Sequence, residues 1–112
     1  MRNFKLEEFN CKHCGKNEMK QDFLDMLDIA RDLAGVPFEI NSGYRCPEHN
    51  KAVGSSSQNH VSGRAADIQA TDNFRRGAIL RGLYLAGFKR IGIHKNFIHA
   101  DNMDAIEAAW FY

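Results

Sequence analysis

Arg90-Ile91-Gly92-Ile93-His94-Lys95-Asn96-Phe97-Ile98-His99-Ala100-Asp101 is the stretch whose periodicity decides the fold. Two short runs alternate apolar and polar positions on either side of Lys95-Asn96, the pattern of a β-hairpin with a two-residue loop. Lys-Asn is a weaker turn signal than Asn-Gly. In the hairpin register Ile93 faces Ile98 and Ile91 faces Ala100, which makes one face apolar. The other face carries Gly92 opposite His99, with His94 and Asp101 each two residues along. His94 and His99 become diagonal neighbours, and Gly92 leaves space between them for a metal, a water or a substrate. A one-residue slip would scatter this set.

Upstream, His60-Val61-Ser62-Gly63-Arg64-Ala65-Ala66-Asp67 supplies an imidazole and a carboxylate with six residues between them. Gly63 can take a backbone conformation closed to other residues, so the chain can turn between the two. Ala65 and Ala66 are small enough for close packing. Arg64 to Ala70 reads as a short strand in which Asp67 is a charge inside an otherwise apolar element, and a buried carboxylate needs a partner or a metal. His60, Asp67 and His99 are two imidazoles and one carboxylate, an accepted protein ligand set for catalytic zinc that leaves a fourth position to water. The competing reading is that these are ordinary surface groups, and the residues around them weigh against it.

The rest of the chain supplies a scaffold. Met19, Phe23, Met26, Leu27, Ala30 and Leu33 recur at helical spacing before Gly35, so residues 18 to 34 should form an amphipathic helix. Pro37 to Asn41 reads as a strand, and Ser42-Gly43 opens a long loop that carries Arg45 and leads to His60. Asp72 to Ala86 reads as a second helix, capped by Thr71 or Asp72 and ended by Gly87, with Phe74, Ala78, Leu80, Leu83 and Tyr84 facing the sheet. Ala108 to Tyr112 should add a last edge strand, with Trp110 closing the core or lining a cleft. The expectation is one α+β domain over residues 1–112: a small, mostly antiparallel sheet packed with two main helices, the zinc site on its open face.

Composition bounds this reading. The 112 residues carry a net charge of +1, too little for strong attraction to nucleic acid. Arg75, Arg76, Arg81, Lys89 and Arg90 lie close together, but no stacking aromatic array accompanies them, and a solvated helix face is the better reading. No apolar run resembles a signal peptide or a membrane span, so cytoplasmic synthesis and no membrane partner are expected. No heptad stands out, and a monomer is expected. No Ser sits in a Gly-x-Ser-x-Gly elbow and no Cys is an obvious activated nucleophile. The three cysteines cannot all pair within one chain. Cys11-Lys12-His13-Cys14 and Cys46-Pro47-Glu48-His49 are C-x2-C and C-x2-H pairs, so Cys11, Cys14, Cys46 and His49 could close a second, structural zinc site. Reduced thiols without a metal are the simpler alternative.

Ser42-Gly43-Tyr44-Arg45-Cys46-Pro47-Glu48-His49-Asn50, Ser57-Gln58-Asn59-His60 through Asp67-Ile68, Ile98-His99-Ala100-Asp101 and Trp110 together resemble the M15 family of zinc peptidases, from about Phe4 to Trp110. That family includes D-alanyl-D-alanine carboxypeptidases and phage endolysins that cut L-alanyl-D-glutamate bonds. The resemblance implies a hydrolase of peptidoglycan stem peptides, with zinc on His60, Asp67 and His99 and with Arg45 near the site to hold a substrate carboxylate or polarise a carbonyl. It also implies a role for His94 in stabilising an oxyanion or shuttling a proton. Asp101 is the other local candidate for the proton-accepting role, or else a group orienting a ligand histidine. One departure matters: several M15 enzymes carry Glu or Asp three residues before the last His, and here that position is Asn96. An amide cannot take a proton from water. The fold also resembles that of the hedgehog signalling domain, so a zinc-stabilised binding or virion structural module is the alternative. Without an export signal, a peptidoglycan enzyme of this kind is expected to act as a phage or prophage endolysin in cell wall degradation.

Overall fold

The computed structural model describes residues 1–55 and 57–112. Among these residues three α-helices, α1 (Gln21–Ala34), α2 (Pro47–Ala52) and α3 (Asn73–Leu85), and a 3-10 turn at Leu6–Phe9 accompany five strands: β1 (Ile40–Ser42), β2 (Ala65–Gln69), β3 (Arg90–Ile93), β4 (Phe97–Asp101) and β5 (Ala108–Phe111). The strands form a single sheet in the order β1-β2-β4-β3-β5. The hairpin closes in the register that the alternation demands, with Ile93 opposite Ile98, Gly92 opposite His99 and Ile91 opposite Ala100. β2 then pairs with the other edge of β4, which sets Asp67 directly opposite His99.

The sheet is mixed. β1–β2, β2–β4 and β4–β3 are antiparallel as expected, whereas the edge strand β5 runs parallel to β3. The connection explains the direction. β4 ends at Asp101 opposite Arg90, and a short crossing from there begins β5 at Ala108 beside Arg90, so β5 can only continue in the direction of β3.

Side-chain alternation divides the sheet into two surfaces. Ala66, Ile68, Ile91, Ile98 and Ala100 join Phe23, Leu27, Ile79 and Leu83 in one buried apolar core, so α1 and α3 cover that face. Asp67, Gly92, His99 and Asp101 project from the other, away from the helices.

The first helix starts three residues later than its apolar stripe suggested and stops at Gly35, which takes φ 71° and donates its N–H to Arg31. Phe23, Leu24, Leu27, Ala30 and Ala34 are buried, whereas Leu33 is exposed. Asp72 caps α3 by accepting the Arg75 N–H at 2.7 Å. The face of α3 differs from the expected one. Ala78, Ile79, Gly82 and Leu83 are buried, Leu80 packs at the margin, and Phe74 and Tyr84 point to solvent. Phe74 and Tyr84 each lie five residues from Ile79, about 140° round the helix from it. What sets the face is Gly82, where an added Cβ would lie 2.4 Å from the Ala30 carbonyl oxygen and 2.7 Å from Ala34 Cβ. The two helices cross on this glycine.

The segment expected to be one long loop contains α2, begun by Cys46 as N-cap with Pro47 in the first turn, where its missing N–H costs nothing. That segment crosses Ser56, which lies outside the described residues.

Two glycines on α3 should therefore respond in opposite directions. Gly82→Ala is expected to destabilise by about 1–3 kcal/mol through overpacking. Gly77→Ala, whose Cβ would meet nothing within 4 Å, should stabilise by about 0.5–1 kcal/mol through helix propensity. Urea denaturation midpoints of the two variants check both signs.

Candidate metal centre

His60 reaches the polar face of the sheet from the turn that precedes β2. An added Cβ on Gly63, at φ 77°, would sit 2.1 Å from the Glu18 carbonyl oxygen, so only glycine lets the turn pass beneath the N-terminal arm. The His60 ring is buried, and its Nδ1 lies 2.8 Å from the Gly43 carbonyl oxygen. A carbonyl only accepts, so Nδ1 carries the proton and the other ring nitrogen, Nε2, faces Asp67 Oδ1 at 3.3 Å.

Asp67 and His99 meet across the β2–β4 pair, with Oδ1 and Nδ1 3.0 Å apart. Taken together, one ligand atom each from His60, Asp67 and His99 lies within 4.8 Å of the others. A tetrahedral zinc with bonds of about 2.0–2.2 Å holds its ligand atoms about 3.3–3.6 Å apart. The 3.0 and 3.3 Å separations of Asp67 Oδ1 from the two imidazoles fit that polyhedron with little movement.

The next shell fixes His99. Its Nε2 donates to Asp101 Oδ2 at 2.7 Å, which leaves Nδ1 as the atom turned to Asp67 and supplies the carboxylate–histidine pairing that orients metal ligands. Asp101 is fully buried and stays ionised because its partners are complete. Oδ1 accepts Arg90 Nε at 2.8 Å and the Met103 N–H at 3.2 Å, and Oδ2 also accepts Asn59 Nδ2 at 3.2 Å. Burial works against the charge on all three groups, yet the mutual contacts prevail. The Asp67 carboxyl is held well below the usual range by His60 and His99, and Asp101 is lowered chiefly by His99. His99 is raised by Asp101 and Asp67.

Above these groups opens a cleft of about 480 Å³ whose walls include Arg45, Asn59, Phe97, Trp110 and Tyr112. Arg45 is anchored through Nη1 to Asn50 Oδ1 at 3.1 Å and Nη2 to Ser42 Oγ at 3.3 Å. Its buried Nε has no partner among the described residues. The space expected over Gly92 is filled: an added Cβ would lie 2.5 Å from Trp110 Nε1 and 2.8 Å from the Tyr112 ring. His94 stacks on Phe97 at 4.5 Å and meets the Tyr112 ring at 5.8 Å, so it adjoins residues of the cleft wall without lining the cleft. Asn96 is exposed in the hairpin loop, and its N–H donates to His94 Nδ1 at 3.0 Å. Asp67 is the sole carboxylate among the described residues that line the cleft.

The alternation puts Arg90 on the first hairpin strand, where it lies, but the charge cluster reads it as one of several solvated cations; it is instead largely buried, bonded to Asp101 and 5.5 Å from the Trp110 ring centre. The hairpin register, which sets Arg90 opposite Asp101, was the signal that could have found it. Asn59, Phe97 and Tyr112 carried no comparable signal.

The family model described as Peptidase M15 matches residues 2–101, a span that includes Arg45 and every member of the metal cluster and stops short of Trp110 and Tyr112. No curated protein matches the chain.

Removing the support of His99 should weaken the centre without destroying it. Asp101→Asn is expected to lower zinc affinity by about 10–100-fold, whereas Asp67→Ala should abolish binding at this centre. Titration against a competing chelator reads both, and an unchanged affinity for Asp101→Asn would contradict the orienting role.

Proposed function

The chain belongs to the M15 peptidase family, a family of zinc-dependent metallopeptidases, and from that premise we propose that it hydrolyses peptide bonds in the stem peptide of peptidoglycan. The observation that carries this reading is the convergence of an open two-histidine, one-carboxylate set and an anchored guanidinium on one cleft. His60, Asp67 and His99 would hold the ion. Zinc in such a set supplies Lewis acidity and lowers the pKa of a bound water to about 7.

The protein's own groups do the rest. Arg45 is held in place by Asn50 and Ser42 with N–H donors to spare, which suits it to bind a peptide carboxylate or a developing oxyanion. Trp110 and Phe97 give the cleft an apolar wall, suited to the methyl groups of alanine residues in a stem peptide. Tyr112 lines the cleft, and its phenol, pushed by burial still further above its ordinary value, has an O–H that can donate to a substrate oxygen. Asp101 holds the proton on His99 Nε2, so the imidazole stays fixed while substrate binds.

A second reading keeps its footing on one observation: Asn96 is an exposed amide, and Asp67 is the sole carboxylate among the described residues of the cleft wall. A zinc-stabilised binding module would need no general base.

Turnover separates the two. Metal-loaded protein incubated with purified peptidoglycan should release fragments that disappear with chelator. Terminal D-alanine would identify a carboxypeptidase, and new L-alanine or D-glutamate ends an endopeptidase. No chelator-sensitive product at any pH would favour the binding module. Arg45→Ala is expected to lower kcat/KM by about 10–100-fold, the worth of one charged hydrogen-bonding contact, with zinc content unchanged.

A further inference from the structure

Three thiols meet outside the cleft. Cys11, Cys14 and Cys46 are all free, and their sulfur atoms lie within 4.8 Å of one another. Two come from a tight turn in the N-terminal arm, closed by the Cys11 N–H to Lys16 and the Gly15 N–H to Cys11, both at 2.8 Å. Gly15 takes φ 75°, as the reversal requires. The third caps α2.

Backbone amides converge on this cluster. The Cys46 N–H donates to Cys11 Sγ and the His49 N–H to Cys46 Sγ, each at 3.4 Å. A thiol is a weak acceptor, and an N–H aimed at sulfur suits the thiolate that a metal ion requires. Three thiolates at such spacing repel one another unless a cation lies among them. Two imidazoles stand beside them: His13 Nδ1 is 3.5 Å from Cys46 Sγ, and the His13 and His49 rings stack 5.9 Å apart.

We infer that Cys11, Cys14 and Cys46 bind a structural zinc ion whose fourth ligand is an imidazole of the His13–His49 pair. Soft thiolates select zinc over the hard cations, and a closed Cys3His set leaves no position for a reacting water. His49 sits at C-x2-H spacing from Cys46, while His13 is the ring the structure places nearest a sulfur.

The ion would clip the N-terminal arm to the loop that serves the cleft. Cys46 follows Arg45 directly, the Tyr44 N–H donates to the Phe9 carbonyl at 2.8 Å, and Gly43, whose carbonyl holds His60, packs against the Phe9 backbone. The site shares no residue with the His60–Asp67–His99 cluster, so each can be emptied by its own substitution.

Metal analysis and native mass spectrometry of the full chain should find two zinc equivalents, falling to one in His60→Ala and to one in Cys46→Ser. Cobalt substitution should give an intense near-ultraviolet thiolate charge-transfer band that survives in His60→Ala and is lost in Cys46→Ser. The imidazole that ligates is the one whose alanine variant, His13→Ala or His49→Ala, weakens retention of this metal, and no effect from either overturns the fourth-ligand assignment. A single equivalent that vanishes in His60→Ala would overturn the site. If Cys46→Ser does not fold, alkylation of the wild-type chain decides: the exposed Cys14 should react slowly until a chelator is added. Rapid alkylation of zinc-loaded protein contradicts the proposal.

Discussion

The candidate metal centre depends on the register in which β2, β4 and β3 pair. That register places Asp67 opposite His99, His99 opposite Gly92 and Arg90 opposite Asp101 in rows on one face. The same register buries Ile68, Ile91 and Ile98 on the other. A slip of one residue would exchange the faces, driving a carboxylate and an imidazole beneath α1 and α3 and the isoleucines into solvent. An uncompensated charge in an apolar layer costs several kcal/mol. The hydrophobic side of the sheet therefore enforces the geometry of the polar side.

On the polar side a hydrogen-bonded line of ionisable groups runs inward from the cleft, through Asp67, His99 and Asp101 to Arg90. Each member is buried or nearly so, and each is tolerated because the next one compensates it. The line ends where Arg90 also bonds the Ile106 carbonyl at 2.8 Å and sits against Trp110. Trp110 in turn covers Gly92 and walls the cleft. The crossing from β4 to β5 thus does two things at once: it anchors the cation that completes the buried chain and delivers the aromatic wall. An imidazole held from both sides is preorganised to take a metal, and metal sites depend on such support.

What was legible in the sequence was periodic. The hairpin, its register and the burial of its isoleucines followed from alternation alone, and the first helix followed from its stripe and its glycine stop. Recognising Asp67 needed only the observation that a charge sits in an otherwise apolar strand. The failures have physical reasons. Glycine carries no hydrophobic signal, so the contact at Gly82 that turns Phe74 and Tyr84 to solvent could not be read. The parallel course of β5 is a property of a connection, and Ala108-Ala109-Trp110-Phe111 has no alternation to announce it. Arg90 was grouped with its neighbours in sequence, although its partner lies across the hairpin. The carbonyl of Gly43 that orients His60 belongs to the backbone and has no residue type to betray it. Asn96 was read as a departure from the acid that several family members carry there, and the structure leaves it outside the cleft wall.

The measurement that bears most directly on this account is anomalous diffraction at the zinc edge from crystals of zinc-loaded protein. A peak is expected on the polar face of the sheet, bound by His60 Nε2, Asp67 Oδ1 and His99 Nδ1, with Asp101 still bonded to His99 Nε2. A peak bound instead through His99 Nε2 or Asp101, or no peak on that face, would contradict it.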